Sequence, residues 1–487
     1  MAARAAFLNP SLVMPASFGD ARMTRYKWLW ETYNNTAYDK LQSYIAVMGY
    51  PQGSIIYKYT MGLYNPVGRW VDFYVANIWG GPLDADAGDG KEVQSALPIL
   101  TDNEALRPAI AKVLQWSNFG SSRQLATRYS TALGDLVIRI ADNPRSKRVY
   151  LQFPNPMHLK DCQWDDFGFV KRAVFEWPRR GSDGKEFTYR EILEHPSIAG
   201  TKNCYIQTFK DGEPFDFTGA GAAYELPYDF VPVVTAPWES TSDGWGAVGY
   251  ARTLRKIDAA NSIATMIAAQ IGKVLNSPLA ITGAAAKDLE LASAGTNNKI
   301  PVLFFKNPEV DIDQLVQNMS LVDALAVLNR QLDEIRDDLP ELRLADAMRS
   351  GQSGEALGRA FSDIMARVQA IRAGHDAALV RAIQMAIGIA GASGYASEFS
   401  PFNLDSYNSG KLDFYVGDRP ILPKDSDAQR EADKERWEMY ARAITALDAD
   451  GNGLDAVAAL VEIMGWSKEK ARGYVRNQME DVIPGER

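Results

Sequence analysis

The sequence predicts an α+β fold that combines amphipathic helices with antiparallel sheet. Two periodicities indicate it. Between residues 247 and 393, apolar side chains recur every three or four positions, as on a helix with one buried face. Between 136 and 209, apolar and polar residues alternate in short runs bounded by turn residues, which is typical of half-buried strands. With 487 residues, the chain has room for two to four domains.

The N-terminal region predicts helices rich in aromatic residues. Between 24 and 80 they recur at mixed helical spacings: Trp28, Tyr33, Tyr44, Trp70, Phe73, Tyr74 and Trp79. Asn65-Pro66 marks a helix start with proline in the first turn. No row of lysine and arginine accompanies the rings, so we favour core packing over stacking on nucleic-acid bases. A further helical stretch is predicted from Asn103 to about Leu133.

The sheet region follows this helix. Strands are predicted at 136–141, 149–153, 168–177 and 203–209. Turn signals separate them at Asp142-Asn143-Pro144 and Lys210-Asp211-Gly212. These short runs predict antiparallel pairing.

Two helices with narrow apolar stripes form the centre of the chain. The first stripe is Leu254, Ile257, Ala264, Ile267, Ile271 and Leu275, and the second is Leu321, Leu325, Leu328, Leu332, Ile335 and Leu339. Each stripe needs a neighbour to bury it, either the other helix or a second subunit. The intervening 276–316 mixes apolar strand-like runs with an Ala-rich helical turn and predicts a small α/β insert.

A loop at 340–353 precedes the longest predicted helix. Ser353 is a suitable N-cap, with Glu355 in the first turn, and about forty helical residues follow. Residues 394–426 are irregular and strand-like, and 427–481 predict a charged helix, a turn and two shorter helices.

Composition restricts the compartment and the partners. Lys plus Arg number 52 against 61 Asp plus Glu, a net charge of -9. That balance argues against a surface that grips nucleic acid throughout, but not against one along which nucleic acid slides. Cys162 and Cys204 lie in no CxxC pair, which predicts a reducing compartment without a disulfide framework. No signal peptide or uninterrupted apolar span is present, so we expect a soluble intracellular chain without a membrane partner.

Sequence patterns for catalysis are missing. The chain has no P-loop, no GxSxG and no HExxH, and its three histidines, His158, His195 and His375, are far apart. The carboxylate pairs Asp165-Asp166 and Asp337-Asp338 are adjacent in sequence, so their side chains diverge. We therefore predict no catalytic residue, no metal and no cofactor.

One motif resembles a calcium loop at its start. Asp448, Asp450 and Asn452 have EF-hand spacing, but position 12 is Ala459 where a bidentate Glu is needed. A plain turn between two helices is the favoured interpretation.

Acidic residues dominate the second central helix. Between 319 and 347 the acids are Asp323, Asp333, Glu334, Asp337, Asp338, Glu341 and Asp346, against Arg330, Arg336 and Arg343. Such a stretch is either an ordinary solvated face or an acidic wall that repels phosphate and lets a polyanion pass.

The order of these patterns resembles tailed-bacteriophage portal proteins over roughly 24–400. The segments that carry the resemblance are the aromatic N-terminal helices, TALGDLVIRI (131–140), VPVV (231–234), LRKIDAANSI (254–263) and SGEAL (353–357), which opens the long helix. The resemblance implies a portal-type fold. Its parts are a mixed α/β wing (1–246), an antiparallel helical stem (247–275 and 317–339), a small α/β clip (276–316), a channel loop (340–352), a long wing helix with the wing return (353–426) and a helical crown (427–487).

The resemblance also implies a function. Portal proteins form a ring, usually of twelve subunits, at one capsid vertex, and double-stranded DNA passes through it during packaging and ejection. Implied partners are the major capsid protein, the terminase large subunit and a head–tail adaptor or tail protein. The implied location is the virion, after assembly in the host cytoplasm.

The resemblance assigns site residues only through their position in the chain, without a sequence motif. The channel loop would contain Arg343, Asp346, Arg349, Ser350 and Gln352. The clip surface that docks the terminase and the adaptor would include Lys287, Asp288, Glu290 and Asn297, and the acidic stem face would be Asp323, Asp333, Glu334, Asp337 and Asp338.

Two other interpretations stay open. The chain could be another virion structural or connector protein without a self-assembled pore. It could also be an intracellular enzyme whose site has no recognised sequence pattern.

Overall fold

The computed structural model describes two compact units of the chain. One comprises residues 1–346 with 363–419, and the other 347–362 with 420–487. Within these units, the described residues are 19–37, 64–79, 97–181, 183–241, 244–275, 279–282, 289–291, 303–305, 311–314, 321–343, 362–417, 419, 426–445, 455–464, 471–472 and 474–475.

The described residues form a mixed α/β fold with antiparallel sheets, as the sequence predicts. The helices are α1 (Gly19–Tyr33), α2 (Val67–Asn77), α3 (Leu106–Trp116), α4 (Phe119–Leu133), α5 (Pro196–Ala199), α6 (Leu254–Leu275), α7 (Leu321–Asp338), α8 (Ser362–Ala392), α9 (Leu404–Asn408), α10 (Ser426–Thr445) and α11 (Ala456–Met464). The strands are β1 (Ile99–Leu100), β2 (Asp135–Asn143), β3 (Arg148–Gln152), β4 (Leu159–Trp164), β5 (Val170–Arg180), β6 (Glu186–Glu194), β7 (Tyr205–Lys210), β8 (Glu213–Pro214), β9 (Ala223–Glu225), β10 (Val233–Pro237), β11 (Glu239–Ser240), β12 (Gly246–Ala247), β13 (Leu279–Thr282), β14 (Leu289–Leu291), β15 (Leu303–Phe305), β16 (Asp311–Gln314) and β17 (Tyr415–Val416).

The predicted helical stretch from Asn103 to Leu133 consists of two helices, α3 and α4. Asn118 adopts the left-handed conformation (φ 47°, ψ 47°) between α3 and α4, which ends the first helix. Asparagine tolerates this region better than most residues. Gly134 then ends α4 at φ 96°, and a Cβ there would lie 3.0 Å from Gly246 O, so a residue without a side chain is required.

Two sheets make up most of the β structure. One has the strand order β10-β2-β3, and the other runs β4-β5-β6-β7-β8 with β9 also paired to β7. The four predicted strands are confirmed as β2, β3, β5 and β7, with ends shifted by one to three residues. The sequence analysis missed β4 and β6. In β4, register shifts on both sides of Asp161–Gln163 break the alternation, and in β6 the charged Glu191 occupies a buried position.

Aromatic side chains form the core of the first unit, which confirms the packing prediction for Trp70, Tyr74 and Trp79. The Trp238 ring contacts Trp70 and Tyr74, at centroid distances of 5.7 and 4.8 Å. The rings of Trp79 and Trp238 each lie 5.7 Å from His375, which is completely buried.

His375 is a packing residue with a defined tautomer. Its Nδ1 lies 3.1 Å from the carbonyl oxygen of Ile371, and its Nε2 lies 2.9 Å from Ser130 Oγ. Since a carbonyl can only accept a hydrogen bond, Nδ1 carries the proton. Burial lowers the pKa of His375 from 6.5 to about 4, so the ring is neutral near pH 7.

Buried arginines fix α8 against the end of α2. The Arg372 guanidinium donates to the carbonyl oxygen of Asn77 from Nε (2.9 Å) and Nη2 (2.6 Å) and also to the carbonyl of Arg419. Arg419 in turn pairs with Asp376 at 2.7 Å. Because the last carbonyls of a helix lack intrahelical donors, Arg372 satisfies an otherwise unpaired group at the negative end of α2.

A buried ion pair joins the two sheets. Glu191 on β6 is inaccessible to solvent, and its Oε1 lies 2.7 Å from Arg139 Nε on β2. Its Oε2 accepts hydrogen bonds from Arg139 Nη2 (2.9 Å) and from the Tyr189 hydroxyl (2.7 Å). Such bidentate geometry is what makes a buried carboxylate tolerable.

The second unit has its own small core. Tyr440 of α10 packs with Ala459 and Leu460 of α11 and with Ala471, and the rings of Trp437 and Tyr474 lie against them. Ala459, which takes the position where a calcium loop needs glutamate, is fully buried in this core. The turn at 448–453 lies outside the described residues.

Stability should depend on pH through His375. The unfolded chain binds a proton near pH 6.5 and the folded one near 4, so the unfolding free energy should fall by about 3 kcal/mol as pH drops across that range. Asp135 acts in the opposite sense: burial raises its pKa from 3.8 to about 6, so its stabilisation is present at low pH and lost as pH rises. Chemical denaturation of the wild type and of His375→Gln between pH 4 and 7 isolates the histidine contribution. Parallel pH curves for the two proteins would contradict it.

Removing the charge of Glu191 should lower the stability of the folded chain. Glu191→Gln leaves Arg139 without its carboxylate partner in a buried site, and we expect a loss of about 3–5 kcal/mol in unfolding free energy. The matched control is Glu186→Gln on the same strand, whose pair with Arg180 is exposed and whose loss should cost less than about 1 kcal/mol. Equal losses in equilibrium denaturation of the two variants would refute the assignment.

Candidate functional site in the paired helices

Helices α6 and α7 pack against each other as an antiparallel pair. The start of α6 meets the end of α7, where Lys256 Nζ lies 2.8 Å from Asp338 Oδ2 and the Thr253 hydroxyl lies 3.5 Å from the same oxygen. The predicted stripes lie on these helices: α6 spans Leu254–Leu275 and α7 spans Leu321–Asp338, so the helices begin seven and four residues after the 247 and 317 that the resemblance implies. The α6–α7 pair is therefore a hairpin of helices whose far end carries the insert 276–316.

Burial of the apolar stripes decreases along the α6–α7 pair. Near the junction of Lys256 and Asp338, Ile257, Ile335 and Leu339 are buried, with Ile335 at 0% exposure. Towards the insert, exposure of the described stripe residues rises to 42% at Ile271 and 47% at Leu325, and Val322, which lies off the stripe, is 75% exposed. Large apolar residues are exposed at this end on more than one side of the two helices, and we call them together the distal patch: Met266, Ile271, Val322, Leu325 and Val327. Among the described stripe residues, Ile267 of α6 is still buried (7% exposed), whereas Ile271 and Leu325, closer to the insert, are exposed.

Glu341 does not belong to the acidic wall suggested by the sequence. Its side chain is buried, and its Oε1 accepts a hydrogen bond from the Tyr74 hydroxyl at 2.7 Å. Arg367 Nη1 lies 3.7 Å from the same oxygen. Burial, reinforced by the Glu341 charge, raises the pKa of Tyr74 well above its ordinary value, which keeps this donor protonated. Glu341 therefore ties the end of α7 to α2.

The predicted acidic face is a row of ion pairs. In the second half of α7 the partners are Asp333 with Arg336 (3.1 Å), Glu334 with Arg330 (3.6 Å), Asp337 with Arg343, and Asp338 with Lys256 (2.8 Å). Asp323 is exposed in the first turn of α7, where the helix dipole favours a negative charge. Most of the carboxylates on this helix are thus compensated locally.

The insert contains two nested antiparallel strand pairs. β13 pairs with β16, and β14 pairs with β15 inside them. Glu290 lies on β14 opposite Phe304. The other residues predicted for this surface, Lys287, Asp288 and Asn297, lie outside the described residues, as does the predicted helical turn.

Of the predicted channel-loop residues, one is described. Arg343 is exposed and pairs with Asp337. The remaining four, Asp346, Arg349, Ser350 and Gln352, and the predicted cap Ser353 lie outside the described residues. The long helix is described from Ser362 to Ala392.

The histidines do not come together. His158 stacks on Trp177, His375 lies in the aromatic core, and His195 lies beside Lys171 in a cleft that the sequence analysis did not find. Among the described residues, no group of three or more His, Cys, Asp or Glu side chains could hold a metal ion. Cys162 and Cys204 are both free and buried, and burial raises the pKa of each thiol, that of Cys204 to about 12.

Comparison with protein-family models and with curated proteins gave no match to this chain. Among the described helices, none combines the length and the apolar character needed to cross a bilayer.

The Tyr74–Glu341 contact should contribute to stability. Tyr74→Phe removes the donor to a buried carboxylate, and we expect the unfolding free energy to fall by about 1–3 kcal/mol. Tyr415→Phe is the control, because the Tyr415 ring is 69% exposed. Urea denaturation of both variants measures the difference, and a Tyr74→Phe loss no larger than that of the control would rule out the contact.

Proposed function

We propose that this chain is a portal protein: a ring-forming subunit at one capsid vertex, through which double-stranded DNA enters during packaging and leaves during ejection. The observation that carries the proposal is the α6–α7 pair with its exposed distal patch and its β-rich insert. In this proposal, the pair is the stem and the insert is the clip. No catalytic activity of its own is required.

The distal patch supports ring formation. Five large apolar side chains on two adjacent helices lie exposed at the end of the pair that carries the insert. Exposed apolar surface of this kind is a preferred place for contact between proteins. The same patch recurs on every copy, so lateral contacts between copies related by rotation close into a ring when the rotation angle divides a full turn. A ring of twelve, the usual number in portal proteins, is the expected assembly.

The row of ion pairs on α7 is compatible with a DNA channel. Arg330, Arg336 and Arg343 are each engaged by a carboxylate of the same segment. Recruiting them to phosphate would first require those pairs to separate. We therefore assign the acidic stem face to a surface along which DNA slides without adhering.

The remaining parts of the proposal rest on position. The insert around Glu290 would dock the terminase large subunit and later the head–tail adaptor or tail protein, and the mixed α/β body would face the major capsid protein. The segment 340–352, of which 344–352 lies outside the described residues, would form the channel loop.

The assembly state tests the proposal. We expect the purified full-length chain to form closed rings with a central hole wide enough for a DNA duplex, as seen by electron microscopy and counted by native mass measurement. Introducing Leu325→Lys together with Val327→Lys should abolish the rings, because burying two added charges at a subunit contact is strongly unfavourable.

The matched control is Leu125→Lys with Leu100→Lys, two leucines of comparable exposure (41% and 55%) outside the distal patch. This variant should still assemble. All variants should keep the wild-type circular dichroism, since every substituted side chain is exposed in the single chain. A monomeric or dimeric wild type without a pore, or rings that tolerate the distal-patch substitutions, would overturn the proposal.

A further inference from the structure

A cleft of about 570 Å³ lies in the body of the first unit, apart from the α6–α7 pair. Five segments of the chain converge on it: the turn after β4 with the start of β5, the N-terminal end of α5, the residues before and within β10, the middle of α8, and the end of α9. Its volume is in the range of pockets that take small molecules.

One carboxylate in the cleft is already satisfied. Asp165 Oδ1 accepts hydrogen bonds from the backbone amides of Phe167 (3.0 Å) and Phe169 (2.8 Å), and Lys171 Nζ lies 3.8 Å from its Oδ2. Lys171 also lies 3.3 Å from His195 Nε2. These contacts hold the turn in place and position Lys171 at the cleft wall.

The Arg381 guanidinium at the cleft stacks on an aromatic ring. Its guanidinium carbon lies 4.2 Å from the centroid of the Phe169 ring, and Nη1 makes a long contact of 3.5 Å with the carbonyl oxygen of Gly168. In the part of the chain that the structure describes, no carboxylate forms an ion pair with it. By contrast, Arg172 on the neighbouring strand binds both Asp161 and Glu194. A guanidinium stacked on a ring keeps its edge available for a planar anion.

The charges around the cleft favour a singly charged anion over a doubly charged one. Lys171 and Arg381 are balanced by Asp165 and Asp229, and burial together with Lys171 lowers the pKa of His195, which leaves that ring neutral at pH 7. Two lining carboxylates repel a phosphate dianion more than a carboxylate monoanion. Val231, Val233 and Phe230 supply an apolar wall for the carbon skeleton of a ligand.

We propose that this cleft binds a small organic carboxylate, with the Arg381 guanidinium as its two-pronged partner and Lys171 as the second cation. The convergence of five chain segments on a volume of about 570 Å³ favours a small molecule over an extended peptide. This binding site is independent of the proposed DNA channel, because it uses no residue of the α6–α7 pair.

The experiment is a calorimetric titration of the full-length protein with benzoate, benzamide and phenyl phosphate. Benzoate and benzamide have nearly the same shape and differ in charge. We expect saturable benzoate binding. Benzamide should bind at least tenfold more weakly, because it cannot form charge-assisted hydrogen bonds with the guanidinium. Phenyl phosphate should also bind more weakly than benzoate, because the two lining carboxylates repel its second negative charge. Equal affinity for benzamide, or tighter binding of phenyl phosphate, would overturn the proposal.

Variants assign the binding to Arg381. Arg381→Gln should weaken benzoate binding at least tenfold. Arg381→Lys keeps the positive charge but loses the two parallel N–H donors of the guanidinium, so it should weaken binding less. Arg190→Gln is the matched control, since Arg190 is an exposed arginine on β6 that does not line the cleft, and it should bind as the wild type does. Unfolding midpoints show whether each variant folds. If Arg381→Gln does not fold, the benzoate affinity of Arg381→Lys tests the role of Arg381 in its place. Unchanged benzoate binding in a folded Arg381 variant would refute the role of Arg381. Tighter binding of an acetylated pentaglutamate peptide than of benzoate would refute the assignment of the cleft to a small ligand.

Discussion

Buried charge is the constraint on which the first unit depends. A guanidinium or carboxylate removed from water is tolerated only where hydrogen-bonding partners surround it. Arg372 meets this condition at one place, between the carbonyl of Asn77 and that of Arg419, and so fixes the position of α8 relative to the end of α2. Glu191 meets it between Arg139 and Tyr189, which fixes one sheet against the other. A different register in either place would leave an ionised group buried and unpaired.

Local periodicity explains what the sequence could predict. The apolar stripes of α6 and α7 are uninterrupted, so the sequence predicts both helices, and the ends of the stripes agree with the helix ends to within one residue. The strands β4 and β6 were missed because a register shift and the buried Glu191 break the alternation. Glu341 was misplaced for the same kind of reason: its burial depends on Tyr74, which is 267 residues away in the chain. The cleft around Arg381 has no local signal, since Arg381 and its contact Gly168 are 213 residues apart.

The apolar stripes of the α6–α7 pair also show where spacing is ambiguous. Spacing of three and four predicts that one face of a helix is covered, but it does not say by what. In the single chain, Ile335 and Leu339 are covered by the pair and the body, whereas Leu325 of the same stripe is half exposed. Val322 and Val327 lie off that stripe and are also exposed, so the pair alone cannot bury them. In the proposed ring, a second copy would supply the missing surface, and for this reason the assembly state tests the proposal.

The ion pairs on α7 change the physical picture of a sliding surface. An uncompensated row of carboxylates would repel DNA over about a Debye length, roughly 8 Å at physiological salt. Paired charges give a field that decays faster than that of single charges, so repulsion is weak at a distance. The arginines, however, are held by Asp333, Glu334 and Asp337, and each phosphate contact would have to compete with one of these carboxylates. In the proposed channel, low adhesion would therefore come from arginines that are already paired as well as from carboxylates that repel phosphate.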